Sequence, residues 1–188
     1  MKRLDSVLLI AVTLVASWLG MQAVHEAGHV LGAWTTGAQV ERVVLHPLAI
    51  SRTDVSHNCH PLFVTWMGPL LGVAAPVALW VLAEMTRMPG TFVPRFFTGF
   101  CLIANGGYLA FGSLQRIGDC GTLLRHGAPL WSLILFGAVA MPLGLLLWNG
   151  TGPDFGLGPQ PRAIDRRLTI AVAVVAAALV ILGLSLPS

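Results

Sequence analysis

The sequence contains very little charge. Charged side chains make up 10% of the 188 residues, whereas hydrophobic residues make up 55%. Soluble domains typically have about 25% charged residues and about 45–50% apolar ones. The composition therefore excludes an ordinary soluble domain and indicates a protein of the lipid bilayer. Its length suits one compact membrane domain, because a helix needs about 20 residues to cross the hydrocarbon core.

Lysine and cysteine are also scarce. The formal net charge is +3 with a single lysine, and the arginines are scattered between apolar segments. This pattern does not indicate a nucleic-acid partner, because nucleic-acid-binding surfaces cluster their positive charge. The three cysteines, Cys59, Cys101 and Cys120, form no disulfide framework, since their number is odd and their spacing is irregular.

Long apolar segments, in contrast, dominate the chain. They cover approximately residues 4–34, 61–85, 93–114, 129–148 and 168–186. We therefore predict an all-α polytopic membrane protein with about five transmembrane helices, located in the cell membrane. The first segment has the basic start of a signal peptide, but its apolar run is long and continues past His29. We expect it to be retained as an uncleaved transmembrane helix.

Two polar connections separate these segments. Residues 35–60 include the stretch VERVVLHPLAIS, which is rich in β-branched residues and in which Pro47 limits a strand to an edge position or a break. We expect a small β segment of one or two strands over residues 38–52, lying on the membrane surface. Residues 149–167 are rich in glycine and proline and separate the last helix from the rest. Seven basic residues against four favour an inside N-terminus.

A histidine–glutamate–x–x–histidine motif occupies the second half of the first apolar segment. A helix places His25 and His29 one above the other on one face, so that their imidazoles can reach a single zinc ion. Glu26 is rotated by about 100° and can accept a proton from a water molecule that zinc acidifies. The alternative is a set of ordinary polar residues at a helix end. It is disfavoured, because ionisable groups in membrane helices are costly and rarely incidental.

A catalytic zinc site requires a third protein ligand. The acidic candidates elsewhere in the chain are Glu41, Asp54, Glu84, Asp119, Asp154 and Asp165. The first and third helices run in the same direction, so Asp119 leaves the third helix on the side where His25 and His29 lie. Glu84 and the late loop emerge on the opposite side. We therefore predict Asp119 as the third ligand of one zinc ion per chain. Its alternative role is that of a loop aspartate capping the turn before TLLRHG.

Three motifs together resemble those of the site-2 protease family of intramembrane zinc metallopeptidases. The first is VHEAGHVLGAWTTGAQVERV, in which H-E-x-G-H precedes a glycine and a strand-forming segment. The second is MGPLLG, which is similar to the family's G-P motif. The third is GDCGTLL, which is similar to the aspartate–glycine motif, with Cys120 standing between the aspartate and the glycine. The resemblance covers roughly residues 5–127.

The resemblance implies a catalytic core of three helices over residues 1–128, followed by two further transmembrane helices over 129–188. It implies Glu26 as the general base. It also implies the same three zinc ligands as the topological reasoning, namely His25, His29 and Asp119. The expected activity is zinc-dependent hydrolysis of peptide bonds in or near transmembrane segments, so the partners are membrane-protein substrates within the bilayer. No oligomeric state is predicted.

Several residues are candidates for substrate binding. Gly68 and Pro69 can open the second helix toward a substrate, although both residue types are common in membrane helices. Asn105 can hydrogen-bond an unwound backbone or the scissile carbonyl, or it can join two helices. The β segment over 38–52 can hold an extended substrate as an added strand.

A second polar cluster consists of His57, Cys59 and His60. Its spacing matches no familiar metal site and favours a solvated loop.

Two alternative functions are compatible with the sequence. The first is that of a non-catalytic relative that binds zinc and retains membrane proteins. The second is a metal transporter, which would spread its ligands along several helices.

Overall fold

The computed structural model describes residues 2–48 and 50–186 as a mostly helical protein with a small antiparallel sheet. In chain order the elements are α1 (Lys2–Thr36), β1 (Gln39–Val44), β2 (Arg52–Ser56), α2 (Pro61–Met85), α3 (Phe92–Gln115), α4 (Gly118–Arg125), α5 (Leu130–Trp148), a 3-10 turn (Gly152–Phe155) and α6 (Arg166–Ser185). Within this described part, five helices are long and apolar enough to cross a membrane. They are α1, α2, α3, α5 and α6, and their ends agree with the predicted apolar segments to within two residues.

The outer surfaces of these five helices carry large apolar side chains. Trp18 of α1, Leu82 of α2, Leu146 of α5 and Val174 of α6 are each at least half exposed. Proteins in water rarely expose contiguous apolar surfaces of this extent. The length and composition of the helices are therefore consistent with a multi-pass membrane protein.

Small residues allow the helices to approach one another closely. Helix α1 packs between α2 and α6, and α3 packs between α2 and α5. A Cβ on Gly28 of α1 would overlap the main chain of α2 at Met67, and a Cβ on Gly137 of α5 would lie too close to the Gly106 carbonyl of α3. Such contacts between small residues are typical of helix pairs in membranes. They position the second half of α1 directly against α2.

The strands form a hairpin beside the ends of α1 and α2. Strand β1 pairs with β2 in antiparallel register, with Gln39 opposite Ser56 and Val44 opposite Arg52. The predicted β segment, 38–52, contains β1 but only the first residue of β2, so its boundary was wrong. The chain turns around Pro47, and strand β1 pairs with the polar stretch RTDVS rather than with the apolar residues that follow Pro47. Residue 49 of the turn lies outside the described residues.

Helix α4 is not predicted by the apolar pattern, since its sequence GDCGTLLR is mostly polar. The chain reverses between α3 and α4 at Arg116, which has a left-handed backbone with φ of 56°. The apolar side of α4 then packs Cys120 and Leu123 against Leu109 of α3 and Leu133 of α5. This packing directs the beginning of α4 toward α1.

Candidate metal centre

The histidine pair lies in the second half of α1, one helical turn apart. Both residues are buried, with 8% of His25 and 7% of His29 exposed. Their Nε2 atoms are 3.2 Å apart. Oδ2 of Asp119, in the first turn of α4, lies 2.9 Å from Nε2 of His25 and 3.2 Å from Nε2 of His29. Three potential metal-binding side chains from two helices therefore converge on one point.

The second ring nitrogen of each histidine faces a carbonyl oxygen. Nδ1 of His25 is 2.7 Å from Oδ1 of the Asn105 side chain, and Nδ1 of His29 is 3.0 Å from the main-chain oxygen of Val64. Because an oxygen acceptor requires a proton on Nδ1, these partners assign the tautomer in which each Nδ1–H donates. In the neutral rings, the lone pair of each Nε2 is then directed toward Asp119. Metal-binding histidines are typically held in this way.

The three potential ligand atoms are of the types that zinc binds and lie close enough together to share one ion. Zinc binds imidazole nitrogen and carboxylate oxygen at roughly 2.0–2.2 Å, and tetrahedral geometry then separates the ligand atoms by about 3.4 Å. The separations here are 2.9, 3.2 and 3.2 Å. Three electron-pair donors at this spacing repel one another unless a cation or additional protons lie between them. Three protein ligands also leave the open position that a catalytic zinc site keeps.

Asp119 belongs to the first turn of α4 and not to a loop. The N-cap position of this helix is occupied by Ile117, so the alternative role of Asp119 as a loop aspartate capping the turn is wrong. Burial raises the pKa of the Asp119 carboxyl, but hydrogen bonds and positive charge from His25 and His29 lower it by more when those rings carry a proton on Nε2, and the pKa then lies well below the ordinary value. An ionised carboxylate at this position is the form that a metal ion would require.

Contacts with α3 hold the beginning of α4 in place. The backbone N–H of Asp119 donates to the hydroxyl oxygen of Tyr108 at 2.9 Å, and the Cys120 thiol donates to the main-chain oxygen of Tyr108 at 3.4 Å. Burial raises the pKa of the Cys120 thiol to about 11, so the thiol stays protonated. Cys120 therefore packs against α3, while its neighbour Asp119 faces the histidines.

Glu26 lies next to the histidine pair and is only 3% exposed. Its Oε2 accepts a hydrogen bond from Oγ1 of Thr53, in strand β2, at 2.7 Å. Both residues line a cavity of about 920 Å³ together with the histidine pair and Asp119. The cavity reaches along α1 as far as Trp18, about 16 Å from His29 at 1.5 Å per residue. It is large enough to receive a segment of polypeptide beside the carboxylate.

The three residues predicted to bind substrate occupy different environments. Gly68 packs against the imidazole of His29, and Pro69 is fully buried. Helix α2 continues without interruption through both residues, and neither lines the cavity. Asn105 does line the cavity, where its side chain contacts His25. The structure thus brings Asn105 to the metal centre and leaves Pro69 away from it.

Sequence reasoning missed three residues that contact the site. Val64 contributes only a main-chain oxygen, for which no sequence signal exists. Thr53 lies in a polar strand with no distinctive spacing. Tyr108 is the single tyrosine of the chain and lies three residues after Asn105, nearly one helical turn, which is a signal that could have identified it.

The second polar cluster does not form a comparable group. His57, Cys59 and His60 are exposed in the turn before α2. Across the described ranges 2–48 and 50–186, the one group of histidine, cysteine and acidic side chains with the spacing to hold a metal is that of His25, His29 and Asp119. The prediction of a solvated loop for the second cluster agrees with this exposure.

No protein-family model matches the chain, and no curated protein or solved structure is significantly similar to it. A functional interpretation therefore depends on the chemistry of the metal centre itself. Its geometry offers three potential metal ligands, a buried carboxylate beside them and a cavity that opens onto both.

Proposed function

We propose that the chain is an intramembrane zinc metallopeptidase that hydrolyses peptide bonds in or near the transmembrane segments of other proteins. The observation that carries the proposal is the convergence of His25, His29 and Asp119, with Glu26 in the same cavity. The five apolar helices support a membrane location for this site. The resemblance of three sequence motifs to the site-2 protease family supports the same activity.

The chemistry divides between the metal and the carboxylate. Zinc held by His25, His29 and Asp119 would supply Lewis acidity toward a peptide carbonyl and a water molecule. Glu26 is the general base that accepts a proton from the attacking water and passes it to the leaving amine. The hydrogen bond from Thr53 orients the Glu26 carboxylate. The contacts of Nδ1 with Asn105 in His25 and with Val64 in His29 leave Nε2 of each ring facing the metal position.

The hairpin provides a means of holding the substrate. A peptide bond within a helix is protected by its own hydrogen bonds, so the substrate segment must unwind before cleavage. Strand β2 pairs with β1 on one side, and none of the described strands pairs with its other side. Arg52, Thr53 and Val55 of β2 line the cavity. We propose that the unwound substrate adds to β2 as an extended strand, which satisfies its backbone hydrogen bonds.

The arrangement of polar groups favours a peptidase over the two alternatives. A metal transporter would require ligands at several depths, whereas the described residues contain a single group with metal-binding spacing. A non-catalytic zinc protein would have no need for a buried carboxylate beside the metal. Glu26 is 3% exposed and faces the cavity, which supports a catalytic role.

The proposal is tested by removing the base without disturbing the metal. Membranes from cells that produce the wild-type protein, Glu26→Gln or Glu84→Gln are compared by mass spectrometry of newly formed N-termini. Glu84 is a matched control, because it is an exposed glutamate near the end of α2 and does not line the cavity. Zinc content is measured on each purified protein.

We expect cleavage products in or beside transmembrane segments with the wild-type protein and with Glu84→Gln. These products should be missing with Glu26→Gln, while zinc content is equal in all three proteins. Zinc binding without Glu26-dependent products would instead support the non-catalytic alternative.

A further inference from the structure

We infer that Asn105 is a positioning residue of the metal centre, which holds the His25 ring in the orientation and tautomer needed to bind zinc. This inference rests on the proposed zinc site and extends it to α3. Asn105 lies in the middle of that helix and is 1% exposed. An asparagine buried in this way must have its polar atoms paired, so its partners define its role.

The hydrogen bonds of Asn105 determine which way its amide points. Nδ2 lies 2.9 Å from the main-chain oxygen of Cys101 and 3.4 Å from that of Gly72, and both contacts require a donor. Oδ1 therefore faces Nδ1 of His25 at 2.7 Å as an acceptor. The reverse orientation would leave two main-chain oxygens facing a side-chain oxygen. The amide thus accepts from His25 and is anchored to both α2 and α3.

This contact has a specific consequence for the metal ligand. A neutral imidazole carries its proton on either nitrogen, and only the Nδ1–H form of His25 directs a lone pair from Nε2 toward Asp119. His29 obtains the same tautomer from a main-chain oxygen, which substitution of Val64 would not remove. The tautomer of His25 depends instead on a side chain. Removing such a partner typically weakens metal binding by about 10–100-fold.

Helix α2 makes room for this arrangement at Gly72. A Cβ at this position would lie 2.8 Å from Oδ1 and 3.0 Å from Nδ2 of Asn105. Those separations are too short for non-bonded atoms, so Gly72→Ala must displace the asparagine. Gly72→Ala therefore disturbs the contact with His25 while keeping both side chains, which gives a second test.

The experiment measures zinc affinity in the purified full-length protein in detergent, by competition with a chelator. Gly72→Ala and three further substitutions are compared with the wild type. Asn105→Leu removes the acceptor, and Asn105→Asp keeps an acceptor oxygen but loses the donor to Cys101 and Gly72. Thr98→Val is the matched control, because Thr98 is also fully buried in α3 and donates to the Pro76 oxygen of α2, but does not line the cavity.

We expect Asn105→Leu and Gly72→Ala to weaken zinc binding by about 10–100-fold. Asn105→Asp should restore affinity to within a few-fold of the wild type, because its carboxylate accepts from Nδ1 of His25. Thr98→Val should leave zinc affinity unchanged. The thermal unfolding of the zinc-free proteins is recorded in parallel to separate effects on the fold.

A purely structural role for Asn105 would give a different pattern. Asn105→Leu and Asn105→Asp would then destabilise the zinc-free protein to a similar extent and would bind zinc equally well. That result, or a wild-type affinity for Asn105→Leu, would overturn the inference while leaving the zinc site intact. Failure of the wild-type protein to bind zinc would instead contradict the proposed function.

Discussion

Close packing around the imidazoles explains several residues that carry no reactive group. Gly68 of α2 faces both histidines, and a Cβ there would overlap the His29 ring and lie 3.0 Å from Nε2 of His25. The glycine therefore allows α2 to form one wall of the metal centre. The H-E-x-x-H motif is not sufficient for this geometry, because the facing helix must also leave room for the rings.

Substitution of Gly68 in α2 by alanine should displace the histidine rings of α1. We expect Gly68→Ala to lose zinc and to be destabilised by about 1–3 kcal/mol, since the added methyl must push the His29 ring aside. Gly107→Ala is the control, because the nearest atoms to a Cβ there are at ordinary contact distances. It should retain zinc and unfold at the same or a higher temperature, as alanine favours helices. Metal analysis and thermal unfolding in detergent distinguish the two, and full zinc content in Gly68→Ala would contradict the packing described.

The residues of the metal centre differ in how far the sequence predicts them. His25 and His29 follow from their four-residue spacing on one helix. Asp119 follows from the direction of the helices, and the structure brings it to both histidines. The contacts of Asn105, Val64 and Thr53 join residues 80, 35 and 27 positions apart, so no local pattern contains them.

At the level of elements, the hairpin is joined to the Glu26 carboxylate. Strand β2 delivers Thr53 to Glu26, and the apolar side of the sheet places Val40 and Val55 against Ala33 and Val64. The hairpin is therefore packed against the ends of α1 and α2 beside the site. A change in its position would alter the orientation of Glu26.

The Thr53 contact should affect turnover more than metal binding. Thr53→Val keeps the shape of the side chain but removes the hydroxyl, whereas Thr53→Ser keeps the hydroxyl. A hydrogen bond to a charged group contributes about 1.5–3 kcal/mol, and about 1.4 kcal/mol corresponds to a tenfold change in rate. We expect Thr53→Val to lower kcat at least about tenfold with zinc retained, and Thr53→Ser to stay near the wild-type value. The measurement is steady-state cleavage of a substrate identified by mass spectrometry of newly formed N-termini. An equal loss of kcat in both variants would show that the hydroxyl is not responsible.

The helices long enough to span a membrane could be predicted because hydropathy is a property of each segment alone. Strand β2 and helix α4 could not, because RTDVS and GDCGTLLR are short and polar. Their conformations depend on partners elsewhere in the chain. Strand β2 forms by pairing with β1, and α4 forms by burying Cys120 and Leu123 against α3 and α5.

For the whole molecule, a membrane-spanning α2 places the metal centre near one surface of the bilayer. Cys59 precedes α2 and is exposed, whereas the other two cysteines, Cys101 and Cys120, are buried. Met88 follows the far end of the same helix and is 56% exposed. If α2 crosses the bilayer, these two positions lie on opposite sides.

A membrane-impermeant maleimide should distinguish the two sides. In sealed vesicles of one orientation we expect labelling either of Cys59 or of Met88→Cys in a Cys59→Ser background, but not of both. Detergent should expose both positions, and Cys59→Ser alone should not be labelled. Labelling of both positions in intact vesicles would show that α2 does not cross the membrane.

The most direct test of the proposed zinc site is metal analysis of the purified protein beside His25→Ala, Asp119→Ala and His57→Ala. His57 serves as the control, because it is an exposed histidine outside the metal centre. The predicted result is one zinc ion per chain in the wild type and in His57→Ala, and loss of zinc in both other variants. Full zinc content in Asp119→Ala, or a wild-type protein that binds no zinc, would contradict the assignment of His25, His29 and Asp119 as the metal ligands.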